Sequence, residues 1–277
     1  MEYYNKMDDF VDERDFDLLE QDRYTFFVLR KILVTPCDLI LSDHRRLVIC
    51  LSSVPNPVWI WTADDAAEDE MQRAYELSKD HGFLDGTHTL NMKYGLADFF
   101  IRKSDAEKSF ASGGKKISIV TNMFAYDNPA PIPPSTAGDV DGGPYRCTPD
   151  DLDEIVEFMD LFQRETGIPA LDPEECRRKA ELGLQHGAYF FWKNSEGKNV
   201  ASCTFHPVEK LASLGLVFTK PEYRRHHYAE NLVYHVTKVV EKEGFIPMLY
   251  TDADYAASNA CYEKIGYIRR GKLCTIG

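Results

Sequence analysis

Arg224-Arg225-His226-His227-Tyr228-Ala229 stands directly before a run in which Leu232, Val233, Val236, Val239 and Val240 recur at helical spacing. The first turn of a helix leaves backbone N–H groups without internal partners and carries a partial positive charge. An anion laid over residues 225–229 would satisfy both. Arg224 and Arg225 would add charge-assisted hydrogen bonds to the same anion. A metal reading of the adjacent histidines is not supported, because consecutive side chains at a helix start diverge and no HExxH pattern or carboxylate partner is read beside them. No metal is expected. Further on, Tyr262 offers a phenol that donates a proton at neutral pH, its ordinary pKa being about 10. Asn259, one helical turn earlier, offers an amide, and Cys261 a thiol with no visible histidine to activate it. His206, Glu209 and Asp252, at or near strand ends, are the candidates for a general base.

These groups need elements to hold them. Thr148 is an N-cap with Pro149 at the first helical position, and Leu152, Ile155, Val156, Met159 and Phe162 keep helical spacing until Gly167. Asp172-Pro173 opens a second helix that ends at Gly187. AYFFWK (188–193) and NVASCTFH (199–206) flank an Asn-Ser-Glu-Gly turn and read as an antiparallel pair. A strand over 211–219, the helix described above, a strand at 247–252, a helix near 257–265 and a last strand from Tyr267 follow. The order reads β-α-α-β-β-β-α-β-α-β.

The N-terminal half reads as mixed α and β, with a helix over 13–33, strands at 47–53 and 58–63, a helix over 64–80 and a strand at 115–124. It shows no catalytic constellation. SGGKK at 112–116 lacks the features of a phosphate loop and reads as a hairpin turn. Between the halves, residues 126–144 hold five prolines and three glycines, a composition that suits a linker. The expected division is an α/β domain over 1–125, the linker over 126–144 and a second domain over 145–277.

Two stretches carry a family resemblance. LGLVFTKPEYRRHHYAENLVYHV (214–236) resembles the acyl-CoA-binding motif of the GNAT superfamily of N-acetyltransferases. LYTDADYAASNACYEKIGY (249–267) resembles the strand-helix segment that follows it there. The wording is similar to that of bacterial two-domain predicted acetyltransferases, and it covers about half of the chain. The resemblance implies an α+β (mixed α/β) fold, with a central mixed sheet flanked by helices. The N-terminal domain becomes a candidate for a degenerate GNAT-like unit. It implies that Val217, Phe218 and Thr219 pair with the pantetheine arm of acetyl-CoA, and that Arg224, Arg225, His226, His227, Tyr228 and Ala229 form the pyrophosphate loop. It further implies that Asn259 meets the pantetheine amides and that Tyr262 stands near the CoA sulfur as the acid. One position departs from the family pattern. Its glycine falls at His227, whose Cβ restricts approach of phosphate and whose imidazole can supply a hydrogen bond or charge.

The expected activity is direct transfer of an acetyl or short acyl group from acyl-CoA to a small-molecule or peptide amine. The rival expectation is an acyl-CoA-binding regulatory or scaffold protein that has lost catalysis. The net charge of -13 argues against nucleic acid or an anionic membrane as partner. No apolar run approaches the roughly 20 residues that span a bilayer. The seven cysteines are scattered without a CxxC pair, which suits reduced thiols in the cytoplasm. The N-terminal domain is expected to shape the acceptor site or to mediate a homodimer.

Overall fold

The computed structural model describes residues 7–108, 116–168 and 170–277. Residues 112–115 of the expected hairpin lie outside them. The chain divides into two compact units, one taking the residues up to Ala125 with Thr251–Asp254 and Arg270–Gly277, the other Tyr126–Tyr250 and Tyr255–Arg269.

Unit 1 opens with α1 (Glu13–Glu20) and α2 (Phe27–Ile32), followed by strands β1 (Leu39–Ser42), β2 (Leu47–Leu51) and β3 (Val58–Thr62). Next come α3 (Glu68–Asp80), β4 (Leu90–Met92), α4 (Tyr94–Lys108) and β5 (Ile119–Asp127). The single helix expected over 13–33 is two helices. Asp22, in the turn between them, accepts hydrogen bonds from Trp61 Nε1 at 2.7 Å and Lys93 Nζ at 2.6 Å. Such long-range partners override local propensity. β1 and β2 are antiparallel, as are β2 and β3, while β3 and β4 run parallel. β4 has three residues, all buried, too short a run for periodicity to reveal.

Unit 2 contains β6 (Gly143–Arg146), α5 (Leu152–Thr166), α6 (Pro173–Gln185), β7 (Tyr189–Lys193), β8 (Asn199–Val208) and β9 (Leu211–Thr219). It continues with α7 (Tyr228–Lys242), β10 (Ile246–Asp252) and α8 (Ala256–Lys264), after which β11 (Ile268–Ile276) passes into unit 1 from Arg270. The helix starts follow the sequence signals. Thr148 and Asp151 form a capping box ahead of α5, and Asp172 accepts from Glu174 N at 2.9 Å at the start of α6. Gly167 closes α5 at φ 69°. β6 to β9 pair antiparallel in sequence, and β9 pairs with β10 in parallel. Phe158 of α5 anchors the core under this sheet, its ring 4.8 Å from Phe191 and 6.1 Å from Phe218.

Residues 126–144, read above as a linker, are held within unit 2. Asn128 Nδ2 and the Ile132 N–H both donate to the Ile265 carbonyl, and Trp192 Nε1 donates to the Asp141 carbonyl. The last residues, placed by sequence in the domain 145–277, belong to unit 1, where Cys274 and Ile276 of β11 stand opposite Met92 and Leu90 of β4.

The nine elements α1–α2–β1–β2–β3–α3–β4–α4–β5 repeat, type for type, as α5–α6–β7–β8–β9–α7–β10–α8–β11. The pairings repeat too: two antiparallel neighbours, then a parallel one reached through a helix. Among the described residues, each half is therefore a version of the same plan.

Candidate functional site

Strand β9 breaks its own regularity. Ser202 of β8 faces Phe218, but Thr204, two residues on, faces Gly215, so an extra residue is inserted on β9 as a bulge. Leu216, in the bulge, takes φ 46°, and its carbonyl accepts from Ser202 Oγ at 2.8 Å. On the other side, pairing with β10 runs from Leu211 opposite Ile246 to Leu214 opposite Leu249 and goes no further. Gly215–Thr219 thus keep a backbone edge that β10 does not cover. Val217, Phe218 and Thr219 lie on that edge. An extended amide-bearing ligand can add to it as a strand would.

The chain then enters the turn that precedes α7. Arg224 is extended, while Arg225 and His227 are both left-handed at φ 63°. The helix starts at Tyr228. At the position where the resemblance expects glycine, this chain holds histidine in a left-handed backbone at a strain of roughly 1–2 kcal/mol. Histidine is among the few residue types enriched in this conformation.

The side chains of the turn divide into three groups. Arg224 is committed within unit 2: its Nε donates to the Thr219 carbonyl at 3.1 Å, and its guanidinium pairs with Glu165. It shapes the turn and leaves less of its charge for an anion. Arg225 and His226 are exposed, with the His226 ring stacked on Tyr228 at 5.7 Å. Tyr228 is buried and donates its hydroxyl to Asp141 at 2.6 Å; burial and then that carboxylate push its phenol up to about 12. Its side chain is thus a structural tie, while its backbone N–H opens the helix. Ala229 is half-buried behind it.

His227 has a partner that the sequence reading passed over. Its Nδ1 lies 3.2 Å from Glu230 Oε2, one turn along α7, and Glu230 is buried. A carboxylate in this turn opposes a bound anion unless the imidazole balances it. With CoA at this turn, as the resemblance implies, His227→Gly is accordingly expected to weaken its binding about three- to tenfold, because the variant loses the imidazole that engages the Glu230 carboxylate. Adding Glu230→Gln should restore affinity. Tighter binding by the single variant, measured calorimetrically, would mean that the ring merely obstructs.

Tyr262 and Asn259 are both buried on α8. The Tyr262 ring packs 5.9 Å from that of Tyr267, and burial raises its phenol well above the ordinary tyrosine value, against a hydrogen bond with Ser258. It is a firmly protonated donor. Burial, with Glu230 adding to it, pushes the Cys261 thiol up to about 12, which removes the thiolate an acyl-cysteine route needs. Gly266 ends the helix at φ 97°.

The three candidate bases separate. Glu209 sits at φ 52° in the tight turn between β8 and β9. Asp252 is exposed and accepts from the Asp254 N–H. His206 is exposed on β8 and borders a cavity whose lining does not include Glu209 or Asp252, with its Nε2 at 3.3 Å from Thr204 Oγ1. That cavity is a cleft open to solvent, with a volume of about 200 Å³. Its walls come from Met159, Phe162 and Gln163 of α5, Tyr189 of β7, and Gly215 and Leu216 at the bulge. Tyr262 is not part of its lining. The cavity was invisible in the sequence, since its walls come from four elements with no shared motif.

The corresponding helix start in unit 1, that of α3, has the opposite electrostatics. Glu68, Asp69 and Glu70 occupy its first turn, Asp65 precedes it, and Arg46 pairs with Asp65 and Glu70. Among the described residues, the carboxylate and imidazole atoms close enough to grip a metal are those of Asp12, Asp15 and His44 in unit 1. They already answer one another: His44 Nδ1 meets Asp15 at 2.6 Å, and Asp12 accepts from Arg14. No helix among the described residues is long and apolar enough to cross a membrane.

Residues 155–267 match the model of the Acetyltransferase (GNAT) family. Among solved structures, a GNAT-family acetyltransferase from Colwellia psychrerythraea is similar over 98% of this chain and 98% of its own, with a TM-score of 0.57 at 10% identity. A GCN5-related N-acetyltransferase from Sphaerobacter thermophilus is similar over 90% of this chain and 84% of its own, with a TM-score of 0.59 at 14% identity. A GCN5-related glucosamine N-acetyltransferase region of a fungal β-N-acetylglucosaminidase is similar over 98% of this chain and 38% of that one, with a TM-score of 0.60 at 11% identity. At such identities the likeness is one of fold. No curated protein matches in sequence.

Proposed function

We propose that the GNAT acetyltransferase domain of residues 155–267 transfers an acetyl or short acyl group from acyl-CoA to an amine, directly and without an acyl-enzyme. The observation that carries this reading is the uncovered edge of Gly215–Thr219 running straight into the left-handed turn at the N-terminus of α7. In this reading, the edge aligns the pantetheine amides of the substrate, and the free N–H groups of Tyr228 and its neighbours hold the pyrophosphate. Arg225 contributes charge there, and Arg224 fixes the turn.

His206 takes a proton from the acceptor ammonium, directly or through water. The amine nitrogen attacks the thioester carbonyl, a C–N bond forms and the C–S bond breaks. Tyr262 gives its proton to the departing thiolate, and the proton that the nitrogen sheds as the amide forms returns the Tyr262 phenolate to the phenol. The high value of the Cys261 thiol supports this route over a ping-pong one. Unit 1, with its acidic α3 start, is assigned no cofactor site in this proposal. Five buried free thiols suit a reducing compartment, so a cytoplasmic location belongs to the same reading.

Calorimetric titration with acetyl-CoA tests the core of it, with desulfo-CoA and ATP as controls. Micromolar binding of one acetyl-CoA per chain, and none of ATP, is the expected outcome. Two equivalents would overturn the assignment to unit 2 alone, and absence of binding at millimolar concentration would overturn the transferase reading. Binding without release of free CoA across an amine panel would favour the regulatory alternative, to which the strained His227 turn is the one pointer.

A further inference from the structure

We infer that the acceptor is a small primary amine with an uncharged, largely apolar tail, an arylalkylamine or alkylamine, bound in the cavity beside the β9 bulge. This deepens the transferase reading and rests on it. The cavity touches Gly215 and Leu216, where the uncovered edge of β9 begins, so whatever fills it lies next to the thioester in that reading. It also touches His206, the group placed to accept the ammonium proton.

The chemistry of the remaining wall decides the class. Phe162, Tyr189, Met159 and Leu216 present rings, a thioether and an isobutyl group. Among the described residues, no carboxylate, guanidinium or ammonium lines the cavity. A polyamine or aminoglycoside would bury further cations with no anion to meet them, and an amino acid would bury its carboxylate with no cation.

The polar atoms present are largely taken. Tyr189 directs its hydroxyl to Met159 Sδ at 3.7 Å, Thr204 Oγ1 meets His206, and Gln163 Oε1 accepts from the Leu171 N–H at 3.4 Å. A sugar amine would bring several hydroxyls to a wall with few free partners, at about 1–3 kcal/mol for each left unmet. Size agrees as well. A cavity of about 150 Å³ accommodates benzene, so about 200 Å³ here takes a ring with a two-carbon amine arm.

The wall also provides a minimal test. Gln163→Glu is nearly isosteric, keeps the acceptor oxygen for Leu171 and places one negative charge in the cavity. The purified full chain is assayed for CoA release with acetyl-CoA and four acceptors: phenethylamine, cadaverine, spermidine and glucosamine. Phenethylamine should have a kcat/KM at least tenfold above the others. In Gln163→Glu the ratio of cadaverine to phenethylamine should rise at least tenfold. A preference for spermidine or glucosamine in the native protein, or an unmoved ratio in the variant, overturns the inference.

Hexanoyl-CoA is run alongside acetyl-CoA. If the longer acyl chain is favoured and competes with the tail of the amine, the cavity holds the acyl group and the inference falls. Failure of the transferase reading is separable, because 2-phenylethanol, which has the tail and no amine, is titrated calorimetrically into the same protein. Its binding, lost on enlarging the ring pocket with Phe162→Ala, is expected whether or not turnover is seen. Absence of that binding counts against the cavity itself.

Discussion

Tyr262→Phe should lower kcat about 100-fold while leaving acetyl-CoA affinity within about twofold, the signature of a group that acts on the departing thiolate and not in ground-state binding. The substitution removes one oxygen from a ring that stays packed against Tyr267 at 5.9 Å, so the fold is retained. The pH profile adds a sharper readout. Burial holds the Tyr262 phenol well above its ordinary value of about 10. A group with a raised value keeps its proton up to that raised value and loses it only beyond. The native enzyme should therefore show no alkaline decline in kcat near pH 10, where an ordinary tyrosine would ionise. A full-speed Tyr262→Phe enzyme would make Tyr262 a core residue alone. A tenfold rise in the Kd for acetyl-CoA would make it a binding residue.

Gly266→Ala should destabilise unit 2 by about 3 kcal/mol, the sum of left-handed strain and forced overpacking. At φ 97°, a Cβ there would stand 2.6 Å from the Ala130 carbonyl and 3.1 Å from Asn128 Oδ1. Neither can easily retreat, because Asn128 and Ile132 both bond to the Ile265 carbonyl next door. Gly138→Ala is the control. It shares a positive φ of 92°, but nothing lies within 4 Å of its Cβ, so only the strain of roughly 1 kcal/mol remains. Urea unfolding of the two variants separates the effects. Equal midpoints would show that residues 128–132 do not pack over the end of α8. A much earlier midpoint for Gly266→Ala would show that this glycine serves packing as well as termination.

The sequence determined most of unit 2. Caps at Thr148 and Asp172, glycines at 167 and 187, and the apolar spacing of α7 are local signals, each read from neighbours a few residues apart. The turn at 224–229, with its departure at His227, was marked by resemblance to a family motif, while the left-handed backbone at Arg225 and His227 came only with the structure. Tyr262 was singled out by the resemblance of 249–267 to a family segment.

Tertiary structure alone decided the rest. Only the register between β8 and β9, and the end of the β9–β10 pairing, create the uncovered edge, since pairing joins residues distant in sequence. The cavity draws its walls from α5, β7, β8 and β9, so no motif encodes it, and His206 parts from Glu209 and Asp252 only once it exists. The proline-rich stretch looked like a linker because its composition lacks apolar side chains. It is held by hydrogen bonds to the Ile265 carbonyl and by the ties of Asp141, which composition does not record. The last strand, continuous with unit 2 in sequence, pairs within unit 1, because a strand belongs to whichever neighbour completes its hydrogen bonds.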